Sequence, residues 1–160
     1  MILVKPLTRY FDFTGRASRK EFWLFSLAIL AGWAVLLTLD TYLGWAYEAS
    51  GPLSLAFHYA TLIPWLAVSA RRLHDSDRSG VWVFIWVLPL IIMTDILLSH
   101  PSLYAEMGVV DLAPPAPSPP WARPVLYGGL AWVVIGFGWF LLLMCFKGTA
   151  GKNRFGDVDK

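Results

Sequence analysis

Four apolar runs constrain this chain more than any other feature: residues 22–39, 53–70, 81–98 and 125–146. The first three are 18 residues long and the last is 22, and only Asp95 places a charge inside any of them. At 1.5 Å of rise per residue, 18 helical residues extend about 27 Å, close to the roughly 30 Å hydrocarbon thickness of a bilayer. Spanning strands would be shorter and would alternate apolar with polar residues, which these runs do not. Nor can a water-soluble domain absorb them. Of the 160 residues, 57% are hydrophobic and 15% charged, against about 25% charged in an ordinary soluble domain. Such a surplus of apolar surface needs lipid against it. The expected fold is all-α: a single membrane domain, a polytopic bundle of four transmembrane helices.

Basic residues fix the expected sidedness. The segment before the first run carries Lys5, Arg9, Arg16, Arg19 and Lys20; the connection 71–80 carries Arg71, Arg72 and Arg78; the tail carries Lys147, Lys152, Arg154 and Lys160. The other two connections hold only Arg123. Twelve of thirteen cations therefore fall on one face, which the positive-inside rule makes cytoplasmic, with both termini there. Formal charge is +6 on that face and −4 on the other. An inner face of this sign suits an anionic leaflet. The first run exceeds the 7–15 residues of a signal-peptide core, and no small-residue cleavage site follows it, so it reads as a retained anchor.

Other chemistries find little support. A net charge of +2 does not point to nucleic acid. One cysteine, Cys145, allows neither an intrachain disulfide nor a cysteine zinc site, and His58, His74 and His100 stand in three separate segments. No metal or other cofactor is expected. The Gly148–Asn153 stretch lacks the phosphate-loop spacing and the Ser or Thr after its lysine.

Within the runs, Ser18-Arg19-Lys20-Glu21 is a capping-box pattern opening the first helix. Arg19 and Lys20 then occupy a first turn whose dipole disfavours cations, which fits either the positive-inside rule or a bound phosphate. Ala28 and Gly32, and Ala56 and Ala60, make small faces for close helix approach. Pro64 and Pro89 should kink or open their helices. Asp95, His58 and His100 are candidates for an outer polar cluster, although an acid near the headgroups needs no partner. The outer loop 99–123 contains a Pro-rich stretch, 113–120, that reads as a stiff extended spacer.

The densest motif is Arg71-Arg72-Leu73-His74-Asp75-Ser76-Asp77-Arg78-Ser79-Gly80. Its structural reading is a self-satisfied ion-pair network that locks the loop; Arg71 and Asp75, four apart, have the spacing for a local pair. With Phe13–Trp23 and Gly151-Lys152-Asn153-Arg154-Phe155-Gly156 it forms three motifs in order. These resemble the motifs of a bacterial inner-membrane family catalogued as domain of unknown function 805. The resemblance runs from about Phe11 to Gly156 and implies a small multi-pass inner-membrane protein with no established activity. Asp77 stands where that family usually has Gly, Val81 where it has Trp, and Asp157 where it has Pro.

All three motifs fall on the expected cytoplasmic face. Arg16, Arg19, Lys20, Arg71, Arg72, Arg78, Lys152 and Arg154, with His74, Asp75 and Asn153 among them, are the candidate binding residues for an anionic group. Its source would be an anionic membrane lipid or an acidic segment of a membrane-protein partner. The expected function is binding or scaffolding rather than catalysis. A small transporter or channel subunit is the alternative. A lipid-headgroup enzyme using His74 as base and Asp75 as its orienter ranks lower, since adjacent residues are poorly placed to cooperate and no nucleophile is evident.

Overall fold

The computed structural model describes residues 2, 4–45, 51–85, 89 and 120–157. Among them regular structure is helical, apart from one isolated bridge between Asn153 and Gly156. Four helices are named here in chain order: α1 (Lys5–Thr8), α2 (Arg19–Tyr42), α3 (Pro52–Asp75) and α4 (Ala122–Cys145). Two compact units divide the chain, Met1–Trp82 with Met144–Lys160, and Val83–Leu143.

Three described helices are long and apolar enough to cross a membrane: α2, α3 and, within α4, Arg123–Cys145. They contain the runs at 22–39 and 53–70 and all but the last residue of 125–146. Residues 82–85 are helical, but 86–88 and 90–98 lie outside the described residues, so most of the third expected span does too, with Asp95 and the surroundings of Pro89. His100 and the Pro-rich stretch also lie outside them. His58 is exposed and meets Tyr59 edge-on.

In the first unit, α2 and α3 pack together. Phe22, Phe25, Leu66, Ala67, Val68 and Leu73 are buried, whereas Leu24, Leu27 and Leu30 on α2 and Leu55 and Tyr59 on α3 are exposed. Apolar side chains on the outside are what lipid solvates. The close approach is a notch rather than paired small faces. A Cβ at Gly32 would stand 2.7 Å from the Phe57 ring, so that ring occupies the space a side chain would need. Ala28, Ala56 and Ala60 are exposed. Trp65 adds a hydrogen bond from its indole N–H to Ser26 Oγ at 3.1 Å. The second unit contains most of α4, where Phe137 and Phe140 stack with ring centroids 6.2 Å apart.

Two long-range polar contacts hold the helices in register. Gly51, the N-cap of α3, has no side chain to satisfy the first amides; Asp40 at the far end of α2 does it instead. Its buried carboxylate accepts from Leu53 N at 3.2 Å and Ser54 N at 2.8 Å. This is a helix cap supplied by another helix. Within α3, Pro64 cannot donate to the carbonyl of Ala60, four residues earlier. The Tyr10 hydroxyl donates to that carbonyl at 2.6 Å. The helix runs on through Pro64.

Candidate functional site

The site forms where α3 ends. Ser76, Asp77 and Arg78 close the helix: Asp77 N donates to His74 O and Arg78 N to Leu73 O, both at 3.0 Å. Asp77 sits at φ +57°, the left-handed conformation this motif requires of the residue after the cap. Aspartate tolerates it better than most residues, which explains its presence at the usual glycine position.

Asp75, in the last turn, is the hub. Arg16 Nε donates to its Oδ1 at 2.9 Å, and Arg16 Nη2 stands 2.8 Å from the same oxygen. Arg72 Nη1 meets Oδ2 at 2.5 Å. Arg16 and Arg72 are both almost wholly buried. A buried guanidinium is tolerated when its other donors are filled, and here backbone carbonyls fill them. Arg16 donates to Gly151 O at 2.5 Å and Thr149 O at 2.6 Å. Arg72 donates to Met144 O at 3.2 Å and closely to Phe146 O. Arg19 Nη1 takes Cys145 O at 3.3 Å. Thus three successive carbonyls at the end of α4, which have no intrahelical donors left, are satisfied by two arginines and see cations at their negative dipole end.

The tail is clasped in return. Thr149 N donates to Asp75 O at 2.8 Å, and Asn153 Nδ2 donates to His74 O at 2.8 Å. Gly148 passes so close that a Cβ there would collide with the Asp75 carboxylate. A tight turn, with Asn153 and Gly156 exchanging amide bonds of 3.1 and 3.0 Å, presents Phe155 to His74. Their rings stack at 3.9 Å and 5°. Arg154 lies over Phe155 at 4.7 Å and pairs with Asp77 at 3.2 Å. His74 Nδ1 is 3.1 Å from Gly15 O.

The three motifs do meet, with one revision to the pairing. Asp75 pairs with Arg72, three residues away, and with Arg16; Arg71 is buried and pairs with Glu21 at 3.5 Å. The Arg71 side chain points toward α2, and Ala17 N, just before that helix, donates to Arg71 O at 3.0 Å. Ser18 Oγ accepts from Glu21 N at 3.2 Å, the expected cap. Glu21 itself faces Arg71 and Lys5, the latter at 3.8 Å. Among the expected binding residues, Arg16, Arg71, Arg72 and Asp75 are buried; His74 and Asn153 are half-buried. Arg19, Lys20, Arg78, Lys152 and Arg154 are exposed. Sequence reasoning missed Tyr10, Asp40 and Thr149, whose partners are backbone groups and leave no trace in side-chain spacing. Among the described residues, no group of three or more His, Cys, Asp or Glu is arranged to hold a metal.

Membrane-length helices joined by a polar clasp at one end define a polytopic membrane protein. The chain matches the family described as "Protein of unknown function (DUF805)" over residues 10–157 and belongs to it. It is 42% identical over 160 residues to the inner membrane protein YhaH of Escherichia coli (strain K12), covering 98% of this chain and 94% of that protein. Inner membrane protein YhaI of the same strain is 30% identical over 156 residues, covering 96% and 91% respectively. The uncharacterized protein YiiR of that strain is 27% identical over 154 residues, covering 91% and 84%. No solved structure matches. The chain is a multi-pass protein of the bacterial inner membrane.

Proposed function

We propose that this protein spans the membrane four times with both termini in the cytoplasm, and that its cytoplasmic end binds anionic lipid headgroups without catalysing a reaction. The supporting observation is a division among the basic residues. Arg16 and Arg72 are buried against Asp75, and Arg71 against Glu21. Arg19, Lys20, Arg78 and Lys152 are exposed around them. The buried cations hold the clasp together, and the exposed ones carry charge available to a ligand. Each basic residue near an anionic surface contributes about 1 kcal/mol of attraction. His74 is engaged by Phe155 and Gly15, and Asp75 by two guanidinium groups, which leaves neither placed as an acid–base pair.

The experiment compares phosphatidylglycerol and phosphatidylethanolamine carried by the protein in native mass spectrometry. Changing Lys20, Arg78 and Lys152 together to Gln should lower phosphatidylglycerol retention by roughly tenfold or more, with the melting temperature unchanged. Equal retention in the variant would remove the reading. Fusions at each terminus test the topology: cytoplasmic reporters should be active at both ends, and a periplasmic reporter active at either end would refute it.

A further inference from the structure

The N-terminal segment does not extend away from the helices; it folds back along them. Three contacts fix its position. Ala17 N donates to Arg71 O at 3.0 Å, where the segment joins α2. Lys5 Nζ lies 3.8 Å from Glu21 Oε2. Between these points, the Tyr10 hydroxyl donates to Ala60 O at 2.6 Å. Ala60 precedes Asp75 by 15 residues, about 22 Å along a helix axis. It stands near the middle of the apolar run 53–70. A tyrosine side chain reaches little more than one helical turn, about 5.4 Å. The backbone at Tyr10 must therefore lie well inside the apolar part of α3.

We propose that residues 4–11 sit within the lipid of the leaflet nearest the Arg16–Asp75 clasp, with Ile2, Val4, Leu7 and Phe11 against acyl chains. These four side chains are 47%, 44%, 46% and 77% exposed, while Pro6 is buried. They continue the exposed apolar surface of α2 and α3, which lipid already covers. Lipid favours backbone groups that are satisfied internally, and several in this segment are. Leu7 N and Thr8 N both donate to Val4 O at 3.0 Å, and Arg9 N to Lys5 O at 3.1 Å. Asp12 N donates to Arg9 O at 3.2 Å. Its charges are compensated too. Lys5 pairs with Glu21, and Arg9 with Asp12 at 2.8 Å. The Thr14 hydroxyl and amide also donate to Asp12 Oδ1, at 2.5 and 2.9 Å. The Tyr10–Ala60 bond fastens the segment to α3.

The test uses the full chain in phosphatidylethanolamine–phosphatidylglycerol liposomes. In a Cys145→Ser background, spin labels are placed at Leu7→Cys or Phe11→Cys, with Leu27→Cys and Lys152→Cys as lipid and water references. The labels at 7 and 11 should show an oxygen-to-nickel-chelate accessibility ratio several-fold above that at 152 and close to that at 27. A ratio equal to that at 152 would put the segment in water and overturn the proposal. Low accessibility to both reagents would mean that protein covers it, which also overturns it. A second readout needs no substitution. A lipid with a photoreactive group at its acyl terminus should label the unaltered chain within residues 4–11 as well as α2, and labelling of α2 alone would be contrary.

Discussion

Arg16 and Asp75 lie 59 residues apart in sequence and meet through two contacts on one carboxylate oxygen, at 2.9 and 2.8 Å. The other oxygen belongs to Arg72. Removing the charge at Asp75 leaves two buried guanidinium groups without their anion. Breaking a buried pair in this way costs about 3–5 kcal/mol. Asp75→Asn should therefore lower the thermal midpoint of the purified protein sharply. A midpoint within a degree of the parent would show that the carbonyl contacts suffice alone.

Asp40 makes a separate prediction at the other end of the helix pair. Its carboxylate replaces the missing cap of α3 through Leu53 N and Ser54 N. Asp40→Ala should destabilise by about 1–3 kcal/mol, the loss of a cap combined with buried unsatisfied amides. Asp40→Asn keeps an acceptor oxygen and should lose less. Reversible unfolding in mixed micelles would rank the two.

Tyr10 and Pro64 are predicted to be energetically coupled although they do not share a bond. Tyr10→Phe should cost about 1 kcal/mol by orphaning the Ala60 carbonyl. In a Pro64→Ala background the new amide can take that carbonyl, so the same change should cost little. A double-mutant cycle measures the difference, and strict additivity would contradict the account.

The left-handed turn at Asp77 reverses a common ranking. At an ordinary helical or loop site, Gly is worse than Ala by about 0.5–1 kcal/mol. At φ +57° Gly is free of the Cβ penalty, so Asp77→Gly should be near neutral and Asp77→Ala should destabilise by about 1 kcal/mol. Both lose the exposed pair with Arg154, worth little, so the contrast isolates the backbone. Melting temperatures of the two variants decide it.

Much of the helical framework was legible because lipid imposes a simple pattern. The runs at 22–39, 53–70 and 125–146 mark α2, α3 and α4. The helices outlast the first two runs because amide bonding continues until a cap stops it, at Ser18 or at the Ser76–Arg78 turn. The meeting of three motifs followed from charge placement, and so did a network that satisfies itself. What spacing could not convey was the chemistry of the partners. Arg16, Arg19 and Arg72 take main-chain carbonyls, Asp40 takes main-chain amides, and Tyr10 serves the carbonyl that Pro64 leaves open. Backbone groups occur at every position and have no signature. Likewise Arg71 and Arg72 look alike in sequence, yet a 100° step around the helix sends one to Glu21 and the other to Asp75.

The clasp is tested most directly by amide hydrogen exchange at Thr149, whose N–H donates to Asp75 O at 2.8 Å. In the parent protein that amide should exchange many-fold more slowly than the amide of exposed Lys152, and Asp75→Asn should bring the two rates together. Equal, rapid exchange at both positions in the parent would mean that the tail is not held by the arginine–aspartate cluster.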